Sequence, residues 1–228
     1  MTMLLLAALA FVGTHFLLSH PLRAPLVRIV GEAAFTGLYS VVAIITLAWM
    51  VIAYRSAPQT APAWSVGDGL WAAATALLLI SSILLAGSLI RNPAFPKAGA
   101  PNAAPDSARG VYAVTRHPML WSFAIWGLSH ILVYPVTQNC IVALAIVILS
   151  LVGASLQDRK KERLQPDVWP AWERQTSYVP FAAIVAGRAR LGGFGAFATL
   201  GGLIFWLVAT WMHRPLSGWP AGIWRWLS

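Results

Sequence analysis

Long runs of apolar residues, separated by short polar stretches, recur along the whole chain. Six of these runs approach the roughly 20 residues that a helix needs to cross a bilayer. The pattern predicts an all-α fold, an integral membrane bundle of six transmembrane helices forming a single domain over residues 1–228. The predicted helices cover residues of about 1–19, 34–54, 69–90, 118–134, 139–156 and 196–213.

Composition agrees with a membrane location, because 58% of the residues are hydrophobic and only 10% are charged. Soluble domains carry about 25% charged residues. The net charge of +9 comes from basic residues concentrated in the first, third and fifth connections, which hold thirteen of the 16 Lys and Arg. Basic connections usually stay in the cytoplasm, so both termini are predicted outside it. The charge therefore indicates topology and contact with lipid headgroups, and no nucleic-acid partner.

Proline and tryptophan mark two segments that are not expected to span. The connection Arg91–Arg116 contains Pro93, Pro96, Pro101 and Pro105, and no helix is expected there. The tail after residue 213 is interrupted by Pro215 and Pro220 and carries Trp219, Trp224 and Trp226. Tryptophan is enriched at membrane–water boundaries, so the tail is predicted to be a C-terminal interfacial, Trp-rich anchor. Cys140 is the lone cysteine, which excludes an intrachain disulfide.

Histidines supply the candidate chemistry. His15 and His130 fall inside predicted helices, whereas His20, His117 and His213 fall near helix boundaries. A polar side chain within an apolar helix needs a partner and is a candidate functional residue. The alternative is that each histidine only bonds a neighbouring carbonyl group. Gly127, one turn before His130, is expected to leave room for a flat ligand.

Charged residues gather at the predicted cytoplasmic side. Arg116 and His117 precede the fourth helix, and Asp158 and Arg159 belong to a charged run that is expected to continue the fifth helix beyond residue 156. Their side chains are expected to pair as a gate over the site, with Glu32 joining from the start of the second helix. The alternative is a solvated helix end whose cations face lipid.

Four stretches together resemble the NnrU family of bacterial membrane proteins, to which the 15-cis-zeta-carotene isomerases are related. They lie in order along residues 10 to 190: G-T-H-F-L-L-S at 13–19, R-H-P-M-L-W-S-F-A-I-W-G-L-S-H at 116–130, D-R-K-K at 158–161 and T-S-Y-V-P-F-A-A-I at 176–184. The resemblance implies that His15 and His130 are axial ligands of a haem b. If haem is bound, Arg116, His117 and Arg159 at the cytoplasmic side are expected to lie at the cofactor, because haem propionates are anionic and Arg116 or Arg159 can pair with them. Gly127 replaces a cysteine of the isomerase pattern, so a thiol-dependent ligand switch is absent.

The resemblance leaves two functions open. One is an enzyme, possessing haem-dependent cis–trans isomerase activity on an apolar polyene. The other is a non-enzymatic assembly or haem-handling partner of a respiratory membrane protein, linked to nitrogen-oxide respiration (denitrification). Both imply the bacterial inner membrane and contact with membrane lipid.

A third family shares part of one motif. R-H-P at a helix entrance also resembles S-adenosylmethionine-dependent membrane methyltransferases. Their pattern continues R-H-P-x-Y-x-G, but Leu120 and Ser122 occupy those places here, and Asp158 and Glu162 stand where adjacent glutamates are expected. Methyl transfer is therefore not expected.

Overall fold

The computed structural model describes residues 1–90, 92–93 and 107–227. This part of the chain is helical and contains no strand, so the predicted all-α class is confirmed. Its eleven helices are α1 (Thr2–Ser19), α2 (Arg23–Val30), α3 (Glu32–Arg55), α4 (Asp68–Ser88), α5 (Val111–Val114), α6 (Pro118–Val133), α7 (Thr137–Leu164), α8 (Trp169–Gln175), α9 (Ala182–Val185), α10 (Ala196–Ser217) and α11 (Trp224–Leu227).

Five of the described helices, α1, α3, α4, α7 and α10, are long and apolar enough to cross a membrane. The fourth predicted helix, α6, is apolar but has only 16 residues. At 1.5 Å per residue it is about 24 Å long, less than the roughly 30 Å of a hydrocarbon core. Prolines explain its length, because Pro118 begins the helix and Pro135 follows its end. The structure thus supports five of the six predicted spans by length.

The long helices pack in a row. Along this row α10 contacts α4, α4 contacts α6, α6 contacts α7, α7 contacts α1, and α1 contacts α3. Neighbours in the row are therefore not always neighbours in sequence, since α1 packs on α7 as well as on α3. This order decides which side chains meet between helices.

Glycines allow two of these contacts to be close. A Cβ atom on Gly202 of α10 would lie 2.6 Å from the Ile83 Cα of α4. A Cβ atom on Gly127 of α6 would lie 2.9 Å from the Ala143 carbonyl oxygen of α7. Small residues permit such backbone approach between membrane helices. The expectation that Gly127 opens space for a flat ligand is therefore wrong, because α7 fills that space.

The connections between the long helices lie at two ends of the bundle: the first end, where α1 ends and α6 begins, and the second end, where α3 ends and α4 begins. At the second end, the loop after α3 meets the turn after α6, where the Ala63 N–H donates to the Pro135 carbonyl oxygen at 2.8 Å. The tail joins this end because Arg225 pairs with Asp68 at the start of α4. At the first end, His20 after α1 lies beside Leu156 and Lys160 of α7. The five long helices and the shorter α6 each run from one end of the bundle to the other.

The charged run continues α7 beyond residue 156 to Leu164, as the sequence predicts. The long third connection differs from its predicted structure. The connection 91–116, expected to lack a helix, forms the single turn α5 after its last proline. In that connection Pro93 lies in a turn, whereas Arg91, Pro96, Lys97, Pro101 and Pro105 lie outside the described residues.

The C-terminal tail folds back on the bundle. Pro215 lies inside the last turn of α10, which therefore ends at Ser217 instead of near residue 213. A Cβ atom on Gly222 would lie 2.8 Å from the Thr210 side chain, so the tail packs directly on α10. Trp219 and Trp226 remain exposed, as an interfacial anchor requires. The depth of this tail in a membrane stays a prediction.

Candidate functional site

A buried polar cluster joins the start of α6 to the charged end of α7. The Arg116 Nε–H donates to Asp158 Oδ2 at 2.8 Å, and the His117 Nε2–H donates to Asp158 Oδ1, also at 2.8 Å. The Trp169 indole N–H reaches the same Oδ1 at 3.3 Å. Arg116 contacts a second carboxylate, Glu173 Oε1, at 3.3 Å. Arg116, His117 and Asp158 thus pair as the sequence predicts.

The cluster is shielded from solvent. Asp158 is 6% exposed and His117 is 3% exposed. Burial raises the pKa of Glu173, an effect that the nearby Arg116 guanidinium opposes. Burial also raises the pKa of Tyr178, whose ring lies 6.0 Å from that of His117. A buried charge is costly unless it is paired, so the cluster holds its members tightly together.

Hydrogen bonds beside this cluster join the start of α6 to the segment after α8. The Arg116 N–H donates to the Ser177 carbonyl oxygen at 2.9 Å, and the Thr115 hydroxyl donates to the Tyr178 carbonyl oxygen at 2.8 Å. The Trp121 indole N–H donates to the same Tyr178 oxygen at 2.8 Å. The segment after α8 is therefore fixed against the start of α6. The side chains of R-H-P are engaged within the protein, which does not favour a role in holding S-adenosylmethionine.

Two residues expected at this cluster lie elsewhere. Arg159 follows Asp158 on α7 but is exposed, and it lies outside the cluster. Glu32 forms an ion pair with Arg23, between the starts of α3 and α2. The short helix α2, which sequence analysis missed, supplies this partner.

A cavity of about 340 Å³ lies between α4, α6 and α10. Its walls are mostly apolar and aromatic, with serine and threonine hydroxyls already bonded to carbonyl groups of the helices. The lining residues are Leu78, Ser81, Ser82, Leu85, Ser122, Phe123, Trp126, His130, Ile146, Phe205, Trp206, Ala209, Thr210 and His213. This composition is typical of a site for an apolar molecule with few polar groups.

His130 lines this cavity together with His213. The His130 Nδ1–H donates to the Trp126 carbonyl oxygen at 2.8 Å. The His130 ring also packs on the Trp126 ring, with their centroids 4.1 Å apart. Because a carbonyl oxygen only accepts, the proton is on Nδ1 and the His130 Nε2 lone pair is free. The His213 ring of α10 lies 6.0 Å from the His130 ring. Sequence reasoning placed His213 at a boundary, because nothing in its periodicity reveals that α10 neighbours this cavity.

His15 has different surroundings. Its Nδ1–H donates to the Phe11 carbonyl oxygen at 2.6 Å. The centroid of its ring lies 5.5 Å from that of the Tyr39 ring of α3. His20 lies at the end of α1 and contacts the Ser19 hydroxyl at 2.7 Å. The structure therefore brings His130 and His213 together and does not bring His15 to His130.

Two larger concavities, of about 520 and 480 Å³, lie at the first end. Both are lined by Ser107, Arg109, Gly110 and Gly193. Ser107 adjoins residues 94–106, which lie outside the described part of the chain. The cavity that contains His130 is bounded by long helices instead.

Comparison with known proteins identifies the family. A protein-family model described as NnrU protein matches residues 3–221. The chain belongs to the NnrU family. Chloroplastic 15-cis-zeta-carotene isomerases resemble part of it, with 32% identity over 79 residues in Arabidopsis thaliana and 33% over 84 residues in Zea mays. These matches cover 35% and 36% of this NnrU chain and 22% of each isomerase. No solved structure matches the chain.

The predicted haem b can be tested against the geometry of this NnrU protein. His15 and His130 each bind a carbonyl group through Nδ1–H, which leaves Nε2 free, as second-shell contacts do for histidine ligands of metals. One haem held by both would need the two imidazoles on opposite sides of a single iron. However, His15 contacts α3 while His130 faces α10, and both α1 and α6 pack on α7 between them. Each histidine suits a ligand role, but their placement does not fit a shared haem.

Proposed function

We propose that this NnrU-family chain is a multi-pass membrane protein that isomerises cis–trans double bonds of an apolar polyene. The cavity between α4, α6 and α10 is the proposed binding site. Support comes from the partial similarity to plant 15-cis-zeta-carotene isomerases and from the apolar, aromatic walls of this cavity. The observation that carries the proposal is that Phe123 and Trp126 of α6 line the same cavity as Phe205 and Trp206 of α10.

Aromatic rings on facing helices suit a conjugated chain. Flat π-systems pack in offset or edge-to-face arrangements that add to the energy of buried area. From Ser122 to His130 the cavity follows α6 for eight residues, which is about 12 Å along the helix. Such a slot binds one stretch of a polyene, orients the double bond that rotates, and excludes water. A bent cis isomer and a straight trans isomer fill a slot of fixed shape differently, which gives the site a means of discrimination.

Ligation of haem b stays a prediction. The sequence predicts His15 and His130 as its axial ligands and Arg116, His117 and Arg159 as the residues around it, but the two histidines as placed here do not fit one shared haem. Because Arg116 and His117 are bonded to Asp158, their contact with a haem would require that cluster to open.

The membrane arrangement belongs to the same proposal. We place the chain in the bacterial inner membrane with six crossings, in which the short α6 spans with the bilayer adapting to its length. The basic first end then faces the cytoplasm, and both termini lie outside it. Support comes from the two-ended arrangement of the connections, because α6 runs between the same two ends as α4.

Isomerisation is tested with the purified protein in liposomes that contain a cis-polyene. Chromatography should show faster approach to the cis–trans equilibrium than in protein-free liposomes. Trp126→Leu should reduce this rate about tenfold, because it removes an aromatic wall worth on the order of 1 kcal/mol. Trp211→Leu, on the lipid-facing side of α10, is the matched control and should keep the rate.

The outcome also separates the two functions. Absence of any rate increase, both as purified and with haem supplied, would exclude the isomerase and favour the non-enzymatic partner role. The absorption spectra of the same preparations test the haem prediction, since His130→Ala and His15→Ala should each change the haem band if both are ligands.

A further inference from the structure

The cavity between α4, α6 and α10 has few polar atoms left for a ligand. Its hydroxyl groups from Ser81, Ser82 and Ser122 donate to helix carbonyl groups, so they offer no free donor. The Trp206 indole N–H, which has no hydrogen-bond partner among the described residues, remains, together with ring nitrogens of the two histidines. Neither ring nitrogen of His213 has a hydrogen-bond partner among the described residues. A polar pair within an apolar cavity indicates the point where a ligand carries its own polar group.

The position of this pair indicates the shape of the ligand. His130 lies near the end of α6 and His213 near the end of α10, so both are at the second end of the bundle. The remaining walls include Leu78 and Phe205, which lie near the middle of α4 and α10. A molecule with an apolar body and a single polar head matches this gradient. Its head lies near the boundary and its body lies deeper.

The hydrogen bonding of the His130 ring limits which polar head group a ligand can place beside it. Its Nδ1–H is bound to the Trp126 oxygen, so Nε2 is an acceptor that needs a donor. His213 is free to donate from its protonated ring nitrogen. A hydroxyl group satisfies both, since it donates to one imidazole and accepts from the other. A carbonyl or ether oxygen only accepts, and it would leave the His130 lone pair unbonded at a cost.

The distance between the rings agrees with one bridging oxygen. Two hydrogen bonds of about 2.8 Å to a single hydroxyl group fit between imidazole rings whose centroids are 6.0 Å apart. We propose that the cavity binds a lipid-soluble molecule with a terminal hydroxyl group, held between His130 and His213. This inference rests on the proposed function only in using the same cavity, and it assigns a hydroxylated substrate class to it.

Retinoids with one shared polyene body and different heads provide the probes. Quenching of tryptophan fluorescence in detergent-solubilised protein measures the affinity for retinol, retinal and retinyl methyl ether. Retinol should bind about tenfold more tightly than either of the others, because only its head is a donor. His130→Phe should reduce the affinity for retinol about tenfold and abolish the preference, because it removes the acceptor that only a hydroxyl head can use, whereas His213→Phe should weaken all three retinoids and keep the preference. Trp211→Phe is the control, because this lipid-facing side chain lies outside the cavity, and it should keep the preference.

The expected result is a hydroxyl preference that disappears with His130. Equal affinities for the three heads, or a preference that survives in a well-folded His130→Phe protein, would overturn the inference. If no retinoid binds while a hydrocarbon polyene is isomerised, the hydroxyl head is wrong and the isomerase proposal stands. A hydroxyl preference without any isomerisation supports the binding site and counts against the enzyme.

Discussion

Asp158 shows how one side chain can hold several elements. Its carboxylate receives hydrogen bonds from Arg116, His117 and Trp169, which come from two separate stretches of chain. Because the carboxylate is 6% exposed, water cannot replace these partners. Removing one partner of a buried charge pair costs about 3–5 kcal/mol, since the other charges are left uncompensated.

Asp158→Ala is therefore expected to destabilise the protein by roughly 3 kcal/mol or more. For a chain of this size the unfolding temperature should fall by at least about 6 °C. Thermal unfolding in detergent, followed by circular dichroism, measures the change. Asp167→Ala removes an exposed carboxylate beyond the end of α7 and should change the temperature little. Equal shifts for the two variants would mean that the cluster contributes nothing specific.

The neighbours of Asp158 were predictable from sequence, and those of His130 were not. Arg116, His117 and Asp158 follow or precede apolar runs on the same side, so the helix count alone places them at one end. Which residue faces His130 depends instead on the order α10, α4, α6 within the row. Membrane helices are apolar all round, so their periodicity does not reveal which face meets which helix.

At the scale of elements, apolar runs predict helices better than they predict helix ends. The starts of α3, α4 and α7 lie within two residues of their predicted positions. The end of α7 lies eight residues beyond its apolar run, because charged residues continue a helix in water as well as apolar ones do. The helix α2 was missed, since its eight residues include two arginines and one proline and show no long apolar run.

Close helix packing predicts opposite effects on stability when two different glycines are replaced by alanine. Gly127→Ala places a Cβ atom 2.8 Å from Val147 Cγ2 and 2.9 Å from the Ala143 carbonyl oxygen. The main chain of α7 cannot move aside cheaply, so α6 must shift at a cost of about 1–3 kcal/mol. Gly37→Ala on α3 meets nothing within 4 Å and should be neutral or stabilising by up to about 1 kcal/mol.

Thermal unfolding of both glycine variants measures this difference. The unfolding temperature should fall for Gly127→Ala and stay constant or rise for Gly37→Ala. A stable Gly127→Ala protein would show that α6 and α7 are farther apart than the structure indicates, and that a ligand has access there after all.

At the scale of the whole molecule, the hydrogen bonds between loops constrain the topology. The loop after α3 and the turn after α6 are joined by the Ala63–Pro135 bond and by the Trp64 indole N–H, which donates to the Leu132 oxygen at 3.1 Å. Two segments bonded to each other lie on the same side of any membrane. Because α4 leaves this end and α6 returns to it, α6 must cross if α4 does. These loop contacts therefore support the proposed six crossings, in which local thinning of the bilayer accommodates the short α6.

Cysteine labelling tests this topology. In a Cys140→Ala background, single cysteines replace Ser65 and Ser217 at the second end and Asp167 at the first end; all three positions are exposed. The outer membrane of intact cells is first permeabilised, while the inner membrane stays closed. A maleimide that cannot cross the inner membrane should then label the cysteines at 65 and 217. The cysteine at 167 should react only after the inner membrane is opened, because the proposed orientation places the basic first end in the cytoplasm. The reverse pattern would invert the orientation while keeping six crossings. Labelling of 65 and 217 from opposite sides would instead require an odd number of crossings between them, and α6 would then lie within one face of the membrane.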